Sequence, residues 1–139
     1  MTKKKVFLFT ILSQLGKPYI WAGDDPGGVD CSGLVCMGLR ACGLLPNKAR
    51  LAADGLMKRY ISKRISKPKK GALIFYLDVH QIATHVTVCL DRQWHIGANG
   101  GGEGIDTPRE AWDANAFVKI RPIMELTDNH IVCDPFVEV

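Results

Sequence analysis

Residues 29–43 read VDCSGLVCMGLRACG and are the most informative part of this sequence. Asp30 is of a residue type that caps the start of a helix, and Gly43 is of the type that ends one. Between them, apolar residues recur at helical spacing and predict a helix over residues 31–42 with one buried stripe. The stripe consists of Leu34, Val35, Gly38, Leu39 and Cys42.

Cys31 is placed by this pattern in the first turn of the helix, on the buried stripe. Unpaired backbone N–H groups and the helix dipole favour an anion there, which lowers the pKa of a thiol. The neighbouring carboxylate of Asp30 acts in the opposite direction, so a nucleophilic Cys31 requires a base partner. The structural alternative is that Cys31 is a small buried hydrophobe, as most free cysteines are.

Three short segments around this helix carry a recognisable pattern. Residues 17–23 read KPYIWAG, residues 30–35 read DCSGLV, and residues 43–46 read GLLP. Together they resemble the NlpC/P60 family of papain-like cysteine peptidases, whose members carry Tyr-x-Trp-Gly-Gly, then Asp-Cys-Ser-Gly-Leu, then a helix ending near Gly-x-x-Leu-Pro. The resemblance covers roughly residues 15–123.

Two later segments extend the resemblance and also depart from it. Residues 68–76 predict a turn into a buried strand, and Ala72 stands where the family pattern Pro-Gly-Asp-Leu-Val-Phe-Phe has aspartate. His85 begins a segment similar to the family's His-Val-Gly-Ile-Tyr strand. There, Thr87 replaces the glycine and Cys89 replaces the tyrosine.

The resemblance implies an α+β fold of the papain-like NlpC/P60 type. N-terminal helices would pack on a central antiparallel, partly barrel-like sheet, within a single catalytic domain covering residues 1–139. A chain of 139 residues is long enough for one core. The predicted helices are 5–15, 31–42, about 48–61 and a short one near 107–112, where Pro108 occupies the first position. The predicted strands include 85–90, 93–98 and 117–123, and residues 124–139 add an edge strand or a loosely held tail.

Two histidines lie on neighbouring predicted strands. With a three-residue hairpin loop at Leu90–Arg92, Gln93 pairs with Cys89 and His95 lies opposite Thr87. His85 and His95 then share one face of the sheet as diagonal neighbours about 7–8 Å apart. His80 is a rival base, although it precedes the strand in a predicted loop.

The resemblance implies a catalytic set at these positions. Cys31 would attack an amide carbonyl, His85 would serve as general base and then acid, and His95 would orient the His85 ring. The Cys31 backbone N–H and Tyr19 would stabilise the oxyanion. Asp30, Ser32 and Trp21 would line the substrate site. Each has a structural alternative, as a helix cap, a first-turn hydroxyl and a cleft wall respectively.

In the family the substrate is commonly the stem peptide of bacterial peptidoglycan, often cut next to D-glutamate. Two alternatives stay open: an amidase or acyltransferase on the same fold, and a non-catalytic wall- or virion-associated module. The glycine-rich loop at residues 99–104 does not follow a strand–helix phosphate-binding pattern, so it does not predict a nucleotide site.

Composition constrains the chemistry further. The formal net charge is +4, and the five cysteines show no disulfide spacing, which favours reduced thiols. A zinc site from Cys36, Cys42, His80 and His85 is disfavoured because no C-x-x-C pair is present. We therefore expect no metal and no cofactor.

Both basic stretches are interpreted as surface features. Lys3–Lys5 precede a short apolar run with no cleavage site, which indicates an amphipathic helix and neither an export signal nor a membrane span. The basic residues between 58 and 70 favour a solvated surface over contact with an anionic wall polymer, and no nucleic-acid motif accompanies them.

The expected location follows from these features. The protein would be made in the cytoplasm and act on the cell wall after lysis, in a virion or through a secretion system. Its partners would then include the peptidoglycan peptide and, in those settings, a phage tail or an immunity protein.

Overall fold

Helices and strands of this chain form an α+β architecture. The computed structural model describes residues 1–25, 27–123 and 129–137. The helices are α1 (Lys3–Leu12), α2 (Cys31–Ala41), α3 (Ala53–Tyr60) and α4 (Pro108–Asp113), with a 3₁₀ turn at Ile61–Lys63. The strands are β1 (Asp24–Asp25), β2 (Gly28–Val29), β3 (Arg64–Ile65), β4 (Leu73–Leu77), β5 (Ala83–Cys89), β6 (Trp94–Asn99), β7 (Phe117–Pro122) and β8 (His130–Cys133).

Six strands make one antiparallel sheet in the order β3-β8-β4-β5-β6-β7. Among the described residues the sheet is open, with β3 and β7 at its edges, so it does not close into a barrel. The prediction of an edge strand near the C-terminus is wrong in position, because β8 lies between β3 and β4. Ile131, Val132 and Cys133 are all buried, which is typical of a strand covered on both faces. The remainder of that prediction, at residues 124–128 and 138–139, falls outside the described part of the chain.

Helix α2 packs on β5 and holds the centre of the core. Asp30 caps it as predicted, with Oδ1 accepting the Gly33 N–H at 2.7 Å. The apolar stripe is buried as expected. Gly38 allows α1 to approach closely, because a Cβ there would lie 2.8 Å from side-chain atoms of both Phe7 and Ile11.

Helix α3 begins at Ala53, five residues later than the predicted start at 48. The preceding segment is held by α2 instead. The Leu51 N–H donates to Cys36 Sγ at 3.4 Å, and the Cys36 thiol lies 3.3 Å from the Leu51 carbonyl oxygen. These contacts use backbone groups that helical bonding would otherwise need, and they fix the segment that carries Arg50 beside α2.

Other local predictions are confirmed with small changes in length. Helix α4 has Pro108 at its start and Thr107 as its cap. Helix α1 ends at Leu12, three residues before the predicted end. Within the described residues, none of the helices has the length and apolar character needed to cross a bilayer.

Candidate active site

Cys31 is the first residue of α2, as predicted, and its sulfur contacts the backbone of β5 at Val86. A hydrogen bond from the backbone of Val86 reaches the sulfur and lowers the pKa of the thiol. Burial is the larger effect and raises that pKa above its usual 9.0, with a further increase from the Asp30 carboxylate. Cys31 is therefore a protonated thiol near neutral pH. The residue that it contacts on β5, Val86, directly follows His85 in the chain.

His85 has one ring nitrogen fixed by Asn99. His85 Nε2 lies 2.9 Å from Asn99 Oδ1, while Asn99 Nδ2 donates to the Gly97 carbonyl at 3.2 Å. Because the Gly97 contact assigns the amide orientation, Nε2 carries the proton and Nδ1 is the basic nitrogen. Burial lowers the pKa of His85 below its usual 6.5, and the Asn99 hydrogen bond partly offsets this by raising it. His85 is thus a neutral imidazole with Nδ1 available as a base.

The register of the β5–β6 hairpin differs from the predicted one by two residues. Cys89 pairs with His95, so the connection spans residues 90–94 and the predicted three-residue loop is wrong. Asp91 explains the longer turn, because its Oδ1 accepts the backbone N–H groups of both Gln93 and Trp94. A shift of two keeps side chains on the same face, but it brings Asn99 across from His85 in place of His95.

His95 is buried further along the same face. Its Nδ1 lies 2.7 Å from Thr87 Oγ1 and 3.4 Å from the Tyr76 hydroxyl. The Tyr76 ring also contacts the His85 ring, with centroids 5.4 Å apart. The described contacts thus join His95 to His85 through Tyr76.

Between the two histidines, the Thr87 side chain occupies the volume that a side chain at position 97 would need. A Cβ at Gly97 would lie 2.8 Å from Thr87 Cγ2 and 3.3 Å from Thr87 Cβ. The residue that departs from the family's glycine at 87 is therefore accommodated by the absence of a side chain at 97.

Asp30 is held by an arginine that the sequence analysis did not select. Arg50 Nη2 lies 2.7 Å from Asp30 Oδ1, and Arg50 Nη1 donates to Ser32 Oγ at 2.9 Å. The Ser32 hydroxyl in turn lies 3.3 Å from Asp30 Oδ1. Asp30 Oδ2 accepts the Ala22 N–H at 3.1 Å. The predicted substrate residues Asp30 and Ser32 are therefore part of a compact polar cluster with Arg50 at the start of α2.

Tyr19 is buried beside this cluster, and a glycine covers its ring. A Cβ at Gly101 would lie 2.2–2.6 Å from three atoms of the Tyr19 ring. Burial, followed by the negative charges of ionised Cys31 and Asp30, raises the pKa of Tyr19 to about 12, so the hydroxyl stays protonated. Trp21 is half-exposed at the rim, where its backbone N–H donates to the Ile105 carbonyl at 2.7 Å.

Other predicted sites are separated from this arrangement. His80 lies exposed in the turn after β4. Cys36 is occupied by its contacts with Leu51. Across residues 1–25, 27–123 and 129–137, no group of three His, Cys, Asp or Glu is arranged to hold a metal ion.

Most of the chain matches a known protein family. The model of the NlpC/P60 family matches residues 16–121, which is most of the chain. The chain belongs to the NlpC/P60 family. It is 30% identical over 97 residues to dipeptidyl-peptidase 6 of Lysinibacillus sphaericus. That match covers 70% of this chain but spans only about a third (33%) of the relative.

Solved NlpC/P60 domains share the fold across almost the whole chain. The P60 domain of antigen MAP1204 from Mycobacterium avium subspecies paratuberculosis superposes with a TM-score of 0.72, at 20% identity, covering 98% of this chain and 96% of that domain. RipD of Mycobacterium tuberculosis superposes with a TM-score of 0.65, at 19% identity, covering 96% and 97%. RipD is described as a non-catalytic domain adapted to peptidoglycan binding. The fold is therefore compatible with either catalysis or binding, and residues of the site must decide between them.

Proposed function

We propose that this NlpC/P60 domain is a cysteine peptidase that hydrolyses an amide bond in peptidoglycan stem peptides, next to D-glutamate. The observation that carries the proposal is the hydrogen bond from His85 Nε2 to Asn99 Oδ1. This bond leaves Nδ1 of His85 as the basic nitrogen, and His85 directly precedes Val86. The Val86 backbone itself bonds the Cys31 sulfur. A thiol, a base and an orienting amide are thereby supplied by α2, β5 and β6.

The reaction begins from a neutral pair. Since the pKa of Cys31 is raised and that of His85 is lowered, the thiol proton passes to His85 Nδ1 as the sulfur attacks the amide carbonyl. The Cys31 backbone N–H and the Tyr19 hydroxyl donate to the oxyanion. His85 then gives its proton to the leaving amine, which departs and leaves a thioester. Water attacks the thioester and His85 accepts a proton from that water. The C–S bond then breaks, His85 returns the proton to the Cys31 sulfur, and the carboxylic acid is released.

Asn99 takes the orienting role in this proposal, which the sequence analysis assigned to His95. An amide oxygen on Nε2–H holds the ring in the tautomer that has a basic Nδ1 and stabilises the imidazolium that forms. His95 supports the site from a distance, through Tyr76 and Thr87.

Substrate contacts are proposed around the polar cluster. Among the described contacts, Asp30 Oδ2 accepts only the Ala22 N–H, so it has capacity for a substrate ammonium group. Trp21 supplies an exposed aromatic edge at the rim. For a chain made inside a cell, lysis, a virion or a secretion system would deliver such an enzyme to the wall.

Digestion of purified peptidoglycan tests the proposal. The wild type should release soluble fragments whose masses correspond to cleavage next to D-glutamate, and Cys31→Ala should release none. Cys42→Ala is the matched control, because Cys42 is a buried cysteine at the opposite end of α2. Several wall types should be used, and no release from any of them by the wild type would contradict the peptidase.

The second candidate is a non-catalytic binding module, which the likeness to RipD favours. Such a module would sediment with intact peptidoglycan and release no fragments. Cys31→Ala would then bind as tightly as the wild type and differ from it in no other respect.

A further inference from the structure

Seven cations gather around two adjoining hollows that share Lys69. One hollow, of about 550 Å³, lies between the start of α1 and the segment after β8, and the other, of about 370 Å³, lies between residues 65–70 and the β5–β6 turn. Together they define the basic surface, which consists of Lys3, Lys4, Lys63, Lys67, Lys69, Lys70 and Arg92.

The residues that line the two hollows carry a formal net charge larger than that of the whole protein. Among the described residues, the two hollows are lined by only two acidic side chains, Asp91 and Asp134, so their formal charge is +5. The whole chain carries +4, which leaves −1 for all other residues. The charge is therefore concentrated, and such concentration attracts polyanions over distances of about 10 Å at moderate ionic strength.

Within the described residues, several of these cations have no hydrogen bond or ion pair with the rest of the protein. Asp134 is almost fully buried and pairs with Lys69 at 3.4 Å, while Lys63 donates to the Pro135 carbonyl at 3.2 Å. By contrast, within the described residues no hydrogen bond or ion pair involves the exposed side chains of Lys3, Lys70 and Arg92. The start of α1 adds unpaired backbone N–H groups and contains no acidic residue in its first turn.

The basic surface lies away from the candidate active site. Leu44, in the first hollow, follows the C-terminal end of α2, whereas Cys31 begins that helix about 16 Å away. Arg92 lies in the β5–β6 turn, beyond Cys89, and the extended strand from His85 to Cys89 alone spans about 13 Å. A partner bound at this surface would leave the cleft open.

We propose that the basic surface binds a linear anionic glycopolymer with repeating phosphodiester groups, of the kind that accompanies peptidoglycan in a cell wall. Two concave hollows in series suit a chain better than a flat bilayer. Six of the seven cations are lysines, which engage phosphates as point charges and lack the fork that reads bases. The second hollow has no aromatic side chain among its described lining residues, and Phe136 in the first hollow packs against Phe7 with ring centroids 5.3 Å apart, so neither hollow presents a series of rings on which bases could stack.

Binding of the full chain to poly(glycerol phosphate) tests the proposal. The wild type should bind in 50 mM salt and weaken steeply as salt rises, because bound counterions are released. The triple variant Lys3→Gln, Lys70→Gln, Arg92→Gln should bind about tenfold or more weakly and show a smaller salt dependence. Its cleavage of a small soluble stem peptide should equal that of the wild type.

A triple variant with the same charge change provides the control. Lys48→Gln, Lys58→Gln, Arg109→Gln removes two lysines and one arginine outside the basic surface, and it should bind the polymer as the wild type does. Equal weakening by both triple variants would overturn the proposal, because net charge alone would then explain binding. Tighter binding to mixed-sequence single-stranded DNA, or to vesicles of phosphatidylglycerol and phosphatidylcholine, would also overturn it. Binding can be measured whether or not the peptidase proposal holds.

Discussion

Asn99 Oδ1 lies 2.9 Å from His85 Nε2, and the Asn99 amide nitrogen is fixed by the Gly97 carbonyl. The amide can therefore only accept from the imidazole. This relationship fixes the His85 tautomer and distinguishes Asn99 from every other polar residue on β6.

Replacement of Asn99 tests its orienting role directly. Asn99→Ala should lower kcat by about tenfold or more, because the tautomer with a basic Nδ1 loses its support. His95→Ala is the comparison, and should mainly reduce stability by about 1–3 kcal/mol, since it leaves the buried Thr87 hydroxyl without its present partner. Turnover would be measured per folded molecule, with circular dichroism to establish the folded fraction. A larger loss of turnover in His95→Ala than in Asn99→Ala would restore the role first assigned to His95.

The pH dependence of kcat/KM should show a broad plateau. Its acid limb should fall below pH 6.5, because burial lowers the pKa of His85, and its alkaline limb above pH 9, because burial raises the pKa of Cys31. Asn99→Asp should move the acid limb to higher pH, since a carboxylate stabilises the imidazolium. An alkaline limb that falls well below pH 9 in the wild type, where an imidazolium would lose its proton, would indicate a preformed thiolate–imidazolium pair instead.

The position of α2 could be predicted from the sequence because the capping residue, the apolar periodicity and the helix-end glycine all indicate the same helix. Sequence reasoning placed His85 on a strand facing the sheet side that also carries His95. It did not place Asn99 beside His85, because hairpin register depends on turn chemistry, and Asp91 stabilises a five-residue turn where a three-residue loop was predicted. The signal for the correct register was present in the side chain of Asp91, a residue type that bonds backbone groups in turns.

Arg50 was missed for a different reason. Twenty residues separate it from Asp30, and no local pattern reports which cation will reach a helix cap across that distance. Its placement depends on the segment before α3 being held against α2 by Cys36, which interrupts a helix that propensity alone would start earlier.

Loss of Arg50 should destabilise the protein. Arg50→Gln would leave the mostly buried Asp30 carboxylate without its cation, at a cost of about 2–3 kcal/mol. Arg40→Gln provides a matched control, because Arg40 also bonds Asp24 and a backbone carbonyl but does not contact Asp30. Urea unfolding would measure both variants. A smaller effect for Arg50→Gln than for Arg40→Gln would contradict the inferred coupling between Arg50 and the start of α2.

Gly101 should control the position of Tyr19. In Gly101→Ala the new methyl group would overlap the Tyr19 ring, so the ring and its hydroxyl must move. We expect kcat to fall by about tenfold while the fold persists, since loss of a single oxyanion donor costs about that much or more. Gly102→Ala is the control, because no atom lies within 4 Å of the added Cβ. Peptide cleavage assays would compare them, and equal activity of both variants would argue against a catalytic contact from Tyr19.

The interlocked volumes of Thr87 and Gly97 constrain how this site can change through evolution. A side chain introduced at 97 collides with the Thr87 methyl, whereas removal of that methyl alone opens a void over Gly97. Each substitution is therefore unfavourable on its own in the present background, and each offsets the cost of the other when both are present. Lineages with a bulky residue at 97 and lineages with threonine at 87 are therefore separated by a less stable intermediate.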